Sequence, residues 1–314
     1  MSLHLIRPHY PCEPIRTVAK LAAALGIEEA ALEQLSLRAN TMYRENHITK
    51  AGKTRLTFDA KGLLKVVHER IKTRILSRVD FPPYLHGSLK GCDYVTNATL
   101  HTNKKIIICE DVKNFFPSIR SELVMDIWQN FFLFSEDVAR VLTAITTKDS
   151  AIPQGAKTSS YLANLVFWRV EPYLQARLAQ DGITYSRYVD DIAMSAKSFI
   201  SKPFQKRVIG QVYGMLIKHG FSPSRKKHEV FSDSGVMMVT KLIVNRKPSL
   251  TRQKRANIRA QVHRATTQSE SIPALNKAAQ MVGLLGRFHP GEATKLKPNI
   301  QKAKIYVGKV SENL

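Results

Sequence analysis

Cysteine is scarce: three residues in 314, Cys12, Cys92 and Cys109, with no Cys-x-x-Cys pair and no Cys/His spacing suited to zinc. That pattern points away from a disulfide framework and toward a reducing, cytoplasmic setting. The ten histidines form no His-Glu-x-x-His or comparable cluster, which argues against a transition-metal enzyme. No apolar run approaches the roughly 20 residues of a membrane span, and no long, strongly basic amphipathic helix stands apart from the rest. Residues 1–7 lack the apolar stretch of a secretory signal, so no membrane partner is expected. Internal repeats, low-complexity tracts and long linkers are also missing, so subdomains should pack on one another. The most telling shortage is of acid: 25 Asp and Glu against 48 Lys and Arg leave a formal charge of +23. Such an excess calls for a polyanionic partner, nucleic acid being the leading candidate, and for association that weakens steeply with salt.

What is present suits an ordinary globular chain, since 44% hydrophobic content allows a substantial core in one large domain or a few tightly associated subdomains. Val18, Leu21, Ala22 and Leu25 recur at helical spacing, Gly26 breaks the run, and Ala31, Leu32 and Leu35 begin a second amphipathic stretch. Helix, glycine turn, helix is also the outline of a DNA-binding helix-turn-helix. Glu28, Glu29 and Glu33 would oppose a DNA backbone, however, so a packing layer is expected. Residues 47–58 read as basic and β-like, and 61–76 as a helix burying Leu64, Val67, Ile71 and Ile75, stopped by Pro82-Pro83. Next come an apolar strand at 105–109, a helix over 121–146, a loop opened by Ile152-Pro153-Gln154-Gly155, and a helix reaching Leu178. A strand pair around 183–195, a helix over 203–219, strand-like 236–239 and 242–244, and a helical, cationic remainder complete an α+β order rather than a doubly wound one.

Within the strand pair, Tyr188-Val189-Asp190-Asp191 puts two adjacent carboxylates where the chain turns. Side by side they repel unless a cation compensates, and hard oxygen ligands of this kind suit Mg²⁺ that also carries substrate phosphates. Asp111 follows an apolar strand and precedes Phe115-Phe116-Pro117, so its carboxylate should emerge at a strand end beside a bulky aromatic, fit to be a third ligand. Together these residues suggest metal-assisted phosphoryl transfer.

The chain resembles the reverse transcriptases. Asp111-Val112-Lys113-Asn114-Phe115-Phe116-Pro117 is similar to the family's first catalytic motif, residues 153–159 to its Pro-Gln-Gly motif, Tyr188-Val189-Asp190-Asp191 to its second catalytic motif, and residues 220–227 to the lysine-bearing motif that follows. Among reverse transcriptases it most resembles the bacterial retron type. Asn97-Ala98-Thr99-Leu100-His101 matches the Asn-Ala-x-x-His block of those enzymes, and Val239-Thr240-Lys241 falls where they carry Val-Thr-Gly. Two departures stand out. Lys241 replaces a glycine that could take positive φ or admit a close backbone approach, and Lys157 stands where many relatives have proline.

The resemblance implies an α+β right-hand polymerase with fingers, a palm built on an antiparallel sheet and a helical thumb, preceded by a short helical N-terminal extension. The expected divisions are residues 1–46 for the extension, 47–104 for the fingers, 105–235 for the palm with a fingers insertion around 121–150, and 236–314 for a basic thumb. It further implies two Mg²⁺ ions bridged by Asp111 and Asp190, with Asp191 a weaker third ligand. Phe116 would be the steric gate that leaves no room for a ribose 2′-OH. Gln154 would lie against the incoming nucleotide, with Gly155 allowing close approach, Lys53 and Arg55 would hold its triphosphate, and either Lys226 or Lys227 could protonate the pyrophosphate.

Residues 235–269 contain no acid but carry Lys241, Arg246, Lys247, Arg252, Lys254, Arg255, Arg259 and Arg264. Interleaved Ala256, Ile258, Ala260 and Val262 suggest a helix packed on one side and facing phosphates on the other, and Lys295, Lys297, Lys302 and Lys304 extend the field. RNA contacts are expected at Asn97, His101, Lys241, Arg246, Arg252, Lys254, Arg255 and Arg259. The implied partners are a cognate structured non-coding RNA serving as template and primer, its cDNA, dNTPs and a separate effector protein. Priming from an internal RNA 2′-OH, a branched RNA–DNA product (msDNA) and antiphage defence belong to the same implication. Alternatives are a group II intron-like or other bacterial reverse transcriptase, a non-catalytic RNA-binding protein that keeps the polymerase fold, and an RNA-synthesising polymerase. The first is disfavoured by the few residues after Asn245, the second by the intact carboxylates, the third by Phe116.

Overall fold

The computed structural model describes residues 4–50, 52–267 and 271–312, with side chains for all of these except 50, 53 and 308–312. Helix α1 (Val18–Leu25) starts where the Thr17 hydroxyl accepts from the Lys20 N–H at 3.2 Å and ends at Gly26, which takes the left-handed conformation at φ 67°. Helix α2 (Glu29–Arg38) buries Leu32 and Leu35. The hairpin β1 (Tyr43–Lys50) and β2 (Lys53–Ala60) then pairs from Tyr43↔Ala60 to Lys50↔Lys53, starting before the boundary expected at residue 46. Helix α3 (Gly62–Arg74) turns Leu64, Val67 and Ile71 inward and points Arg70 and Arg74 at α1. Arg70 donates to the carbonyls of Leu25 (3.0 Å) and Gly26 (2.8 Å) and Arg74 to that of Ala24 (2.9 Å), satisfying acceptors that the helix end leaves free.

Helix α4 (Tyr94–Thr99) is set by a capping box in which Asp93 accepts from the N–H groups of Val95 and Thr96 and the Thr96 hydroxyl accepts from the Asp93 N–H. Strand β3 (Ile106–Lys113) and the single turn α5 (Phe115–Ser118) follow. The helix expected over 121–146 is broken. Helix α6 (Ser121–Asp126) widens into a π turn at Ile127–Phe131, Leu133 takes φ 57°, and α7 (Glu136–Thr146) restarts at the Ser135 cap. The break lets Trp128, Phe132 and Phe134 bury against one another, which one continuous helix face could not do. The next expected helix is also two: α8 (Ser159–Leu165) and α9 (Glu171–Gln180), the second starting at Pro172, whose fixed φ suits a first helical turn.

Strands β4 (Ile183–Tyr188) and β5 (Asp191–Ala196), helix α10 (Lys202–Lys218), and strands β6 (Ser222–Pro223) and β7 (Glu229–Ser232) complete the main sheet. Its order is β4-β5-β3, with β6 and β7 sharing the other edge of β3, and all pairings are antiparallel. The short hairpin β8 (Met238–Val239) and β9 (Leu242–Ile243) leads to α11 (Arg252–Thr267), α12 (Ile272–Phe288) and α13 (Pro290–Glu312).

Buried side chains fall into two clusters. The larger joins α1, α2 and α3 to the sheet and to α6–α10, so the N-terminal helices share their core with the sheet. The second holds Met237, Val239, Leu242 and the inner faces of α11–α13, and reaches the sheet through Ile107 and Ala193. Among the described residues no helix is long and apolar enough to cross a membrane.

At the β8–β9 turn, Thr240 (φ 46°) and Lys241 (φ 67°) are both left-handed, so Lys241 adopts the conformation that a glycine would take without strain. Lys241→Gly should therefore stabilise the fold by about 0.5–1 kcal/mol, read as a higher urea midpoint at unchanged m-value.

Candidate active site

The sheet brings the three expected carboxylates together. Asp111, near the end of β3, is the direct Cα partner of Asp191, the first residue of β5, and the Val112 N–H donates to the Asp190 carbonyl at 3.1 Å. Asp111 is buried, Asp190 half-buried and Asp191 exposed. Like charges directly opposite on neighbouring strands are destabilising. Asp191 keeps accessible surface, but loss of solvent around its carboxyl, then the neighbouring carboxylates, pushes this acid up to about 6, and the same causes raise that of Asp190. Compensation comes from Lys227, whose ammonium lies 2.5 Å from Asp111 Oδ2, and from the fields of Arg55 at Asp190 and Lys241 at Asp191.

Hard oxygen donors in such a group suit a divalent ion. Asp111 is turned onto Lys227, however, and among the described residues no three His, Cys, Asp or Glu side chains converge closely enough to ligate an ion as they stand. Lys227 is the one of the two candidate lysines that pairs with a carboxylate; Lys226 shares with it a cavity of about 280 Å³ lined also by Asn97, Asp111, Asp191 and Lys241. A larger concavity, about 680 Å³ between α2, α6 and α7, contains none of the expected site residues.

Phe116 follows Asp111 by five residues, in a single turn that begins where Asn114 turns left-handed (φ 49°) after β3. That turn sends Phe115 into the core against Phe167 and Phe221 and leaves Phe116 half-buried at its edge. The Gln154 loop is docked on β2: its carbonyl accepts from the Phe58 N–H at 2.8 Å. Gly155 (φ 104°) lies so close to that strand that a Cβ would be 3.2 Å from the Phe58 carbonyl oxygen. The close approach that glycine permits is thus to the strand bearing Arg55. Lys157 pairs with Glu69 of α3, tying the same loop to a helix. Lys53 lies on β2, and its side chain is outside the described residues.

Several expected RNA contacts are placed differently. His101 is fully buried, and its Nδ1 and Nε2 lie 2.7 Å from the hydroxyls of Ser195 and Ser186, so it bridges β5 and β4 instead of facing solvent. Burial, with Lys104 and His86 nearby, pushes this imidazole down to about 3, and the neutral ring can donate to one serine and accept from the other. Asn97 is also buried, and neither its amide nitrogen nor its oxygen has a partner among the described residues. Arg255 (2.8 Å) and Arg259 both pair with Glu292, holding α11 to α13, while Arg246, Arg252, Lys254 and Lys241 are exposed. The pairing arises because the acid-free stretch folds back on an acid 33 residues beyond Arg259.

Gly87 is a site residue that no motif indicated. A Cβ there would lie 2.3 Å from Val189 Cγ2 and 2.6 Å from the Val189 nitrogen, so its missing side chain seats the turn before Asp190.

Residues 45–272 match the family model described as reverse transcriptase (RNA-dependent DNA polymerase). The chain is 35% identical to the retron Se72 reverse transcriptase of Salmonella heidelberg over 82% of its own length and 69% of that protein's. It is 29% identical to the retron Ec48 reverse transcriptase of Escherichia coli over 93% of its length and 77% of that protein's. A solved structure of Candida albicans telomerase covers 86% of this chain and 59% of its own at 10% identity and a TM-score of 0.46, too loose a likeness to bear on function.

Two outcomes are expected from this geometry. Gly87→Ala should destabilise by about 1–3 kcal/mol through overpacking against the Val189 turn, seen as a lowered unfolding temperature. His101 titrates below its ordinary 6.5 when folded, so its neutral form contributes fully above about pH 6.5 and that contribution is lost as pH falls toward 3, at up to about 1.4 kcal/mol per pH unit. Stability between pH 7 and pH 5 should accordingly drop more steeply in the wild type than in His101→Gln, and equal slopes would contradict the buried bridge.

Proposed function

The chain belongs to the reverse transcriptases, RNA-directed DNA polymerases, and to their retron type; from that premise we propose that it copies a cognate structured non-coding RNA, acting as both template and primer, into single-stranded DNA that stays joined to the RNA as a branched product. What supports the reading of the site is one observation above the rest: three carboxylates from two sequence-distant motifs meet where the end of β3 faces the start of β5, with Asp111 directly opposite Asp191. Enzymes of this family use divalent metal ions. Two Mg²⁺ ions would be held by Asp111 and Asp190, with Asp191 the weaker third, and would activate the attacking hydroxyl and neutralise the triphosphate.

The chain's own residues would do the rest. Phe116, packed on one side against Phe115 and open on the other, excludes the 2′-OH of a ribonucleotide. Gln154 and Arg55 would line the nucleotide, the Gln154 loop being docked on the strand that bears Arg55 and Lys53. Lys227, nearer the carboxylates than Lys226, supplies a proton to the leaving pyrophosphate. Exposed Lys241 and Arg246 around the β8–β9 hairpin, with Arg252 and Lys254 of α11, hold RNA phosphates, and α11–α13 serve as the thumb. A separate effector protein and a role in antiphage defence complete the proposal on the strength of the retron relationship.

Purified protein with its RNA should incorporate dNTPs in the presence of Mg²⁺, and Asp190→Asn should lower the rate by a factor on the order of 10²–10³ or more; full activity in that variant would overturn the assignment. Phe116→Ala should relax discrimination against ribonucleotides, measured as the ratio of kcat/KM for dNTP and NTP. Expression with the flanking DNA should yield a branched RNA–DNA species, whereas a co-purifying intron lariat would speak for an intron-encoded enzyme.

A further inference from the structure

Beneath the turn that carries Asp190 lies a buried ion pair that no motif assigns. Arg187, immediately before Tyr188, has no exposed surface, and its partner Glu171, in the first turn of α9, is only 2% exposed. All five guanidinium N–H groups have acceptors. Nε donates to Glu171 Oε1 at 2.6 Å and Nη2 to Glu171 Oε2 at 2.7 Å, while Nη2 also reaches the Asn164 carbonyl at 3.0 Å. Nη1 donates to the carbonyls of Ala163 at 3.2 Å and Val189 at 3.1 Å. The Tyr185 hydroxyl donates to Glu171 at 2.7 Å, so the acceptor is itself oriented.

The Val189 carbonyl belongs to the peptide that leads into Asp190. Val189 stands at φ 60°, a conformation a β-branched residue strongly avoids, so its surroundings hold it there: its side chain packs at the edge of the core against Gly87, and its carbonyl accepts from Arg187. Replacing a buried ion pair by apolar groups of similar volume is often neutral or stabilising for a fold, so stability alone is a weak reason for this pair. We propose that Arg187 and Glu171 form a positioning pair: through the Val189 carbonyl they hold the strained peptide, and with it the direction of the Asp190 carboxylate. The inference rests on Asp190 being a reacting carboxylate of the polymerase.

The test uses the full-length protein with its RNA. The apolar double variant Glu171→Leu/Arg187→Met should keep its unfolding temperature and RNA affinity while kcat for dNTP incorporation falls by 100-fold or more with KM for dNTP little changed. Arg187→Lys, which keeps a cation facing Glu171 but loses the fork of donors, is the second variant should the first fail to fold, and the same fall in kcat is expected. Adding Val189→Gly to either background should recover at least tenfold of the loss, since glycine takes the turn's φ without being held. A folded double variant, or a folded Arg187→Lys, with wild-type kcat would overturn the proposal, as would a loss that Val189→Gly leaves untouched. Failure of the underlying reading shows separately, as full activity in Asp190→Asn.

Discussion

Repulsion among Asp111, Asp190 and Asp191 is the constraint around which the sheet is organised. An antiparallel register that sets Asp111 against Asp191 would be unfavourable on an unsupported hairpin. Here β3 is paired on both edges and its apolar residues Ile106, Ile107, Ile108 and Val112 are buried, so the register is held by burial that a one-residue slip would undo. The strain appears where physics would put it: in raised carboxyl affinities for protons, in the left-handed Val189, and in the turning of Asp111 onto Lys227.

Helix α4 joins the two cores at this point. His101, just beyond it, is hydrogen-bonded to both strands of the β4–β5 hairpin, while the Thr240 hydroxyl donates to the Tyr94 carbonyl at 2.8 Å and Arg287 of α12 pairs with Asp93 at the helix cap. The two blocks that resemble those of the retron type, a full match at 97–101 and a partial one at 239–241, therefore meet in space although about 140 residues apart, one beside the carboxylate strands and the other beside the cationic helices. Their shared cavity is lined by Asn97, Lys241, Asp111 and Asp191.

Much of the secondary structure was legible, and the failures have physical causes. The helix over 121–146 reads as continuous because apolar residues recur throughout it, yet Trp128, Phe132 and Phe134 are too many large rings for one face, and the chain breaks to bury them. Pro172 was a visible restart for α9 inside a run that otherwise looked unbroken. At the site, residue types in motif order indicated the carboxylates, Phe116 and Gln154. They did not indicate Gly87 or Glu171, whose importance lies wholly in what they touch. The pairing of Arg255 and Arg259 with Glu292 was not legible for a related reason, since a count along the chain does not show that Glu292 packs against them.

By itself the sequence determined the chemical class: carboxylates at strand ends, an aromatic after the first of them, and a cationic excess are properties of residue type and short spacing, which survive without coordinates. It also determined the family, through motifs in a set order. Only the tertiary structure decided which lysine faces Asp111, that His101 is a buried bridge between two serines, that Lys241 takes a glycine's conformation, and that Arg187 reaches the Val189 carbonyl. Each of these depends on segments brought together by burial of apolar surface, an interaction without direction or sequence register. The contacts it creates between remote residues are therefore consequences of the whole packing and are written at no single place in the chain.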